Sequence, residues 1–400
     1  MMRLQVFKKK RLFLSVWLIV GLAVVGSLVS GPGLAQSEKA EELKVVRIGL
    51  IPYFDFMGVA LQKALGLDRE MGLKIELVNF VDDKTPLAAL ARGSLDVAAL
   101  CIEVIPPLLV QIPDTRVFTS MTQFKGFMVI GREKDVQSGK IKTFPQLEEE
   151  LGDFKAAQRA FFAQMKGKTI PLLEVARVGT LSAMLDNASL AVADMTVINF
   201  GDDAKAATAF ARGTGDFYFG SLPQQINLLK DPQFVKLVGW KGIGPAAVWY
   251  GSNYVALEGW VENNKDTVMK LAAMHYRATR YIHEKTDEVV SVMIDYLNSM
   301  AATGLTAEDG KNFIGEYLAF RPIEESEKEV YNPDSPAYWK KPIDFYVKLL
   351  EEEGKLEKGA FTTEQFVIQE KIFYELLNNP ELMAWIEKPL EEIGKPLTLD

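Results

Sequence analysis

LVNFVDDKTPLAALARGSLDVAAL, from Leu77 to Leu100, is answered 120 positions later by VINFGDDAKAATAFARGTGDFYFG, from Val197 to Gly220. The two stretches align without a gap over 24 residues, and nine are identical. Asn79, Phe80, Asp82, Asp83, Ala89, Ala91, Arg92, Gly93 and Asp96 pair with Asn199, Phe200, Asp202, Asp203, Ala209, Ala211, Arg212, Gly213 and Asp216. Each copy reads as strand, loop, helix, strand. Leu77–Phe80 is a short apolar run with a β-branched residue, as a strand requires. Asp82 to Thr85 offers side chains that can cap a helix, and Pro86 fits a first turn, where its missing N–H has no intrahelical partner. Gly93 supplies the left-handed residue that ends the helix. Leu95–Leu100 is again a strand. A strand–helix–strand unit within one sheet implies a parallel, right-handed crossover. Copies this far apart do not make a solenoid, so they are expected to be equivalent parts of two α/β lobes.

The chain of 400 residues is long enough for two or three domain equivalents. A single Cys excludes an internal disulfide framework, and the two His, at 275 and 283, lack metal-ligand spacing. Both His are expected at surface or half-buried positions of one helix. Residues 1–35 read as a secretory leader. Arg3, Lys8, Lys9, Lys10 and Arg11 form the basic start, Leu12–Ser30 carries no charge, and Gly33-Leu34-Ala35 is a small-residue end. Cleavage is expected after Ala35; the length of the apolar run also allows an uncleaved anchor. Removing the leader takes away five of the 45 basic residues and none of the 53 acidic ones, leaving a net charge of −13. That balance argues against nucleic acid as a partner.

Along the rest of the chain, strands are expected at 45–51, 73–80, 95–100, 116–121, 127–131, 167–173, 195–200, 234–240 and 248–255. Residues 145–165 read as mostly helical. From Leu257 onward apolar spacing near 3.6 predicts helices at 260–285, 287–300, 307–318, 342–353 and 363–377. Thr306 and Asp309 have the spacing of a capping box.

The order of these parts resembles the type II periplasmic substrate-binding proteins, in particular those of nitrate, sulfonate and taurine ABC importers. The resemblance is carried by VRIGLIPY at Val46–Tyr53, ALG at Ala64–Gly66 with MGL at Met71–Leu73 and IEL at Ile75–Leu77, ALARGSLDVA at Ala89–Ala98, KGKTI at Lys166–Ile170 and ARGTGD at Ala211–Asp216. It covers roughly residues 45–258. It implies a two-lobed α/β fold, here with a C-terminal helical extension. Lobe I would comprise 44–128 with about 256–400, and lobe II 129–255, joined by crossover strands near 127–131 and 250–255. It also implies a periplasmic, non-enzymatic protein that hands a small-molecule ligand to an ABC transporter permease. No cofactor is implied, and the membrane is met only through the transporter or an uncleaved N-terminal segment.

In open α/β sheets ligands bind beyond the carboxyl ends of the strands, so the loops there hold the candidate site. Helices begin in several of them, and their free N–H groups favour an anion. Tyr53, Phe54 and Phe56 form one candidate wall, with Trp249 on another side; such rings suit aromatic, alkyl or cationic groups, or simply fill the core. Glu103, just past a strand, is either a partner for a ligand ammonium or an acid beside a helix start. Arg177 either forks onto a ligand acid group or is a solvated surface residue. Ser221 can cap a helix, bind ligand, or do both. Thr85, Phe124 and Thr180 complete the candidate set from the same loops. The paired acids Asp82/Asp83 and Asp202/Asp203 read as helix caps. Cys101 has no base beside it in sequence and reads as a small buried thiol. The expected ligand is a sulfonate, a zwitterion or an aromatic or heterocyclic acid. A secreted or tethered enzyme, or a sensor domain, is the alternative on the same fold.

Overall fold

The first strand, β1 (Lys44–Leu50, KVVRIGL), is exposed where it begins and buried where it ends. It runs parallel to β2 (Leu73–Asn79) on one side and β3 (Val97–Leu100) on the other. β3 (VAAL) is apolar and wholly buried, as a central parallel strand must be. The other strands are β4 (Thr115–Phe124), β5 (Met128–Arg132), β6 (Thr169–Leu172), β7 (Thr196–Asn199), β8 (Phe234–Gly239), β9 (Trp249–Leu257) and β10 (Leu318–Ala319). The computed structural model describes residues 43–400 except 83, 245, 246, 248, 336, 394–396, 398 and 400, with backbone alone at 175, 176, 249 and 250. The leader at 1–35 lies outside the described residues. No described helix is long and apolar enough to cross a membrane.

Six strands form one sheet in the order β10-β4-β9-β3-β1-β2. The remaining four form two pairs, β5 with β8 antiparallel and β6 with β7 parallel. The segment 216–218 stitches the pairs together. Asp216 donates its N–H to Thr169 O at 2.8 Å, and Tyr218 exchanges two 2.9 Å bonds with Ile130. The resulting order, β7-β6-(216–218)-β5-β8, reproduces β2-β1-β3-β9-β4 of the large sheet. Two strand sets of like order are what the repeated stretch leads one to expect.

The repeat extends to single hydrogen bonds. Asp82 Oδ1 accepts from Thr85 N at 2.8 Å, two residues ahead of the N-cap Lys84, and Asp202 Oδ1, itself the N-cap, accepts from Lys205 N at 2.7 Å. Gly93 and Gly213 close the helices with φ of +70° and +106°. Asp96 accepts from the backbone N–H of Arg47 at 2.9 Å, and Asp216 from that of Thr169 at 2.9 Å. Each acid therefore pins the segment before the third strand to the first, at mid-strand for Arg47 and at the start for Thr169. Asp96 also takes a two-pronged contact from the Arg47 guanidinium, both prongs at 2.9 Å.

Residues 145–165 are mostly helical, as expected, in two helices, Phe144–Leu151 and Phe154–Ala163, because Gly152 is left-handed and Asp153 caps the second one, accepting from Ala156 N. One helical expectation needs correction. The helix expected at 307–318 ends at Asn312, although the Thr306–Asp309 capping box is present. A π-turn at Phe313–Tyr317 then leads into β10, which pairs with β4. His275 is buried rather than half-exposed, and burial lowers its pKa to about 3.

Burial by itself would raise the pKa of Asp96, but the hydrogen bonds and charge of Arg47 more than offset this and hold it below its ordinary value. A lowered folded-state pKa means the contribution is present above the unfolded value and is lost on acidification. Asp96→Ala is therefore expected to cost about 1–3 kcal/mol at neutral pH. In urea unfolding, the gap to wild type closes as pH falls below about 3.9. A gap that persists at low pH would mean the cost lies in packing, not charge.

Candidate functional site

One cavity lies where the loops beyond the strand ends of both sheets converge. Tyr53, Phe54 and Asp55 reach it from the loop after β1, and Cys101 and Glu103 from the turn after β3. Phe124 ends β4, and Phe127 stands where the chain leaves the large sheet for β5. From the second set of strands come Arg177, on the helix after β6, and Ser221, after the 216–218 segment. Counted with the solvent at its mouth, the cavity measures about 400 Å³. The part clear of side-chain atoms is only of water size, so anything larger enters by moving side chains. A wider groove behind Phe127 runs past Trp240, Lys241 and Tyr317. It holds no buried charge cluster and lies away from the carboxyl ends of the parallel strands.

Arg177 is the centre of the site. Its side chain is 4% exposed. Nη2 donates to Asp203 Oδ2 at 2.8 Å, and Nη1 stands 3.6 Å from Glu103 Oε1. The guanidinium lies 5.6 Å from the ring centre of Tyr53 and 5.7 Å from that of Phe127. Burial opposes its charge, but Asp203 first, then Tyr53 and Glu103, hold its pKa well above the ordinary value. The surface alternative for Arg177 is thereby overturned. Glu103 does lie in the first turn of a short 3-10 helix, Ile102–Val104, and it is buried beside this cation.

The two adjacent acids of the second repeat copy divide their work. Asp202 is the cap, whereas Asp203 turns inward, is 5% exposed and binds Arg177. The Tyr53 hydroxyl donates to Asp203 Oδ2 at 3.5 Å, and the Tyr218 hydroxyl to Asp203 O at 3.4 Å. Burial, then Asp203, keeps the Tyr218 phenol protonated far above its usual range. Reading both acids as caps misses Asp203. The available signal was Arg177, a lone cation in an otherwise apolar stretch, which needs a buried acid if it faces inward.

The other candidates divide as follows. Phe54 packs edge-on against Phe313 at 5.1 Å, and Phe124 against Phe127 at 4.7 Å. Phe56 is fully buried behind the Tyr53 ring, outside the lining. Ser221 lines the cavity and makes no side-chain cap, although its helix, Leu222–Leu229, starts there. Gln225, one turn on, fastens that start to the crossover, donating to Gly220 O and Gly126 O and accepting from Met128 N. Thr180 is buried one turn beyond Arg177, outside the lining. Thr85 is exposed and spends its hydroxyl on Asp82. The side chain of Trp249 lies outside the described residues. Cys101 is buried, as expected.

The C-terminal helix Lys340–Glu352 packs on both the 102–104 turn and the 174–186 helix. Its Tyr346 presses on Gly179, where an added Cβ would fall 2.2 Å from the ring. Burial, then the charge of Glu103, raises the Tyr346 phenol pKa. The extension thus packs against two of the elements that carry cleft residues.

The NMT1/THI5-like family model matches residues 159–289, about a third of the chain. No curated protein matches the sequence. Among solved structures, the aliphatic sulphonate binding protein SsuA of Escherichia coli aligns over 81% of this chain and 91% of its own, with 18% identity and a TM-score of 0.60. The alkanesulfonate-binding protein SsuA of Xanthomonas axonopodis pv. citri, bound to MOPS, aligns over 82% and 99%, with 19% identity and a TM-score of 0.60. The periplasmic nitrate-binding protein NrtA of Synechocystis PCC 6803 aligns over 86% and 91%, with 13% identity and a TM-score of 0.61. The chain has the fold of the periplasmic substrate-binding proteins, the group its sequence resembles, and the proteins it is matched to here are binding proteins.

Removing the cation while leaving its acids in place is expected to be costly. Arg177→Met should destabilise by about 3–5 kcal/mol, because Asp203 and Glu103 remain buried without it. Adding Asp203→Asn and Glu103→Gln to that variant should recover most of the loss in denaturant titration; no recovery would place the cost in lost packing. Gly179→Ala should cost about 1–3 kcal/mol by overpacking against Tyr346. The double variant with Tyr346→Ala should fall short of the sum of the two single losses, and simple additivity would show that the helix is not docked there.

Proposed function

We propose that this is an exported solute-binding protein that delivers a small organic ligand to the permease of an ABC importer. The observation that carries the reading is a cavity built jointly from both sets of strands, with Tyr53 and Glu103 from one side and Arg177 and Ser221 from the other. A ligand touching both sides favours the closed arrangement of the two, and a hinge-type closure of this kind changes the outer surface that a permease meets. The sulfonate- and nitrate-binding proteins of like fold support the same role. The basic and apolar leader supports export to the periplasm, with Gln36 as the first residue of the mature chain.

The rings of Tyr53, Phe54, Phe124 and Phe127 favour a ligand with a flat or alkyl body. The start of the Leu222–Leu229 helix adds free N–H groups at the opposite wall.

Thermal unfolding of the purified protein against sulfonates, nitrate, amino acids, pyrimidines and aromatic acids and amines tests the role. A true ligand adds about 2.7 kcal/mol of stability at a hundredfold excess over its dissociation constant, and is recovered unchanged. Consumption of the compound would replace the transport role with catalysis. N-terminal sequencing of the exported chain should begin at Gln36; retention of residues 1–35 would make it a tethered protein.

A further inference from the structure

The charge inside the cleft is not the charge of an anion receptor. Three carboxylates, Asp55, Glu103 and Asp203, lie in or directly behind the cavity wall, at 6%, 4% and 5% exposure. Among the described residues that line the cavity, Arg177 is the sole cation. It is already engaged, with Nη2 on Asp203, Nη1 facing Glu103 and aromatic rings near its guanidinium. Asp203 Oδ1 is buried and has no hydrogen-bond partner. Buried charges are tolerated when they are matched, and among the described residues at this cavity acids outnumber cations.

We infer that the ligand of this cleft is an organic cation: a small amine, amidine or protonated nitrogen heterocycle on a flat or alkyl body. The inference rests on the solute-binding reading and specifies the ligand class of that same site. A ligand nitrogen entering beside Glu103 brings its positive charge among these carboxylates. The faces of Tyr53 and Phe127, with Phe54 and Phe124 beside them, attract a cation and cover its apolar body. A sulfonate or carboxylate in the same position meets Asp55 and Glu103. It must also compete with Asp203 for Arg177. The MOPS-bound protein of like fold does not decide the matter, since likeness at 19% identity does not extend to side chains.

The test uses the purified protein and matched sets of probes: benzylamine, benzamidine and N-methylpyridinium as cations, benzyl alcohol and benzamide as neutral bodies, and benzoate and benzenesulfonate as anions, followed by a wider library of the same three charges. Calorimetric titration and the unfolding midpoint are read for wild type and Glu103→Gln. Binding confined to cations, weakened about thirtyfold or more in Glu103→Gln, with the unliganded midpoint of that variant unchanged or raised, supports the inference. Tighter binding of the anions overturns it and leaves the solute-binding role standing. Equal binding of a cation by wild type and Glu103→Gln also overturns it, since the acid would then contribute nothing. An unliganded Glu103→Gln midpoint several degrees below wild type overturns the premise of surplus negative charge. If no probe of any charge binds, the solute-binding role fails and the inference fails with it.

Discussion

A guanidinium removed from water and held between two acids and two aromatic rings is the constraint on which the cleft depends. Desolvating such an ion costs several kcal/mol even after relaxation. Arg177 is tolerated because its planar fork meets Asp203 at 2.8 Å and keeps Glu103 at 3.6 Å. Arg suits this place better than Lys would, because its flat, weakly hydrated head can bond in its plane and stack on its faces. The partners come from different parts of the chain. Asp203 starts the helix after β7, Arg177 sits on the helix after β6, and Glu103 and Tyr53 belong to the large sheet. One side chain therefore sets the relation of four loops, and any shift of the two sets of strands is felt at Arg177.

Much of the scaffold beneath that site was legible. Two gapless copies of one pattern carried enough local signal, in an Asp cap, a left-handed Gly and a short apolar strand, to imply two similar sheets. The matched bonds of Asp96 to Arg47 N and of Asp216 to Thr169 N show why that acid recurs. It is a clamp between strands, a more specific role than the structural one its position suggested. The division between Asp202 and Asp203 was not legible. Both are good caps by type, and which of two neighbours turns inward depends on a cation 26 residues upstream in the chain. Thr85 fails as a cleft residue for the converse reason: its local bond to Asp82 competes with any role in the cavity.

The C-terminal part was legible as helix and illegible in its docking. Apolar spacing gives a helix its buried face but not its neighbour. β10 spans only Leu318–Ala319, too short for a period of two to register. The pressure of Tyr346 on Gly179 and the capture of the tail by Arg277 are long-range contacts of the same kind. Arg277 is fully buried and donates to the carbonyl oxygens of Trp385 and Lys388 at 2.8 and 2.9 Å. It answers the free carbonyls at the end of the Pro380–Glu387 helix, as a cation at a helix C-terminus should.

Two electrostatic effects meet in the cleft and point in opposite directions. The start of the Leu222–Leu229 helix carries roughly half a positive charge, an effect of about 0.3–1 kcal/mol that fades within the first turn. Against it stand the carboxyl groups of Asp55 and Glu103, both in the cavity lining and shielded from water. At an effective dielectric constant near 20, a unit charge 4 Å away is worth about 4 kcal/mol, several times the helix term. Arg177 cannot reverse the balance, because its charge is already divided between Asp203 and Glu103. The aromatic faces act in the same sense as the acids, since their electron-rich centres repel anions and attract cations. Helix starts at a strand-end cleft are therefore a weaker guide to ligand charge here than the few titratable groups buried beside them.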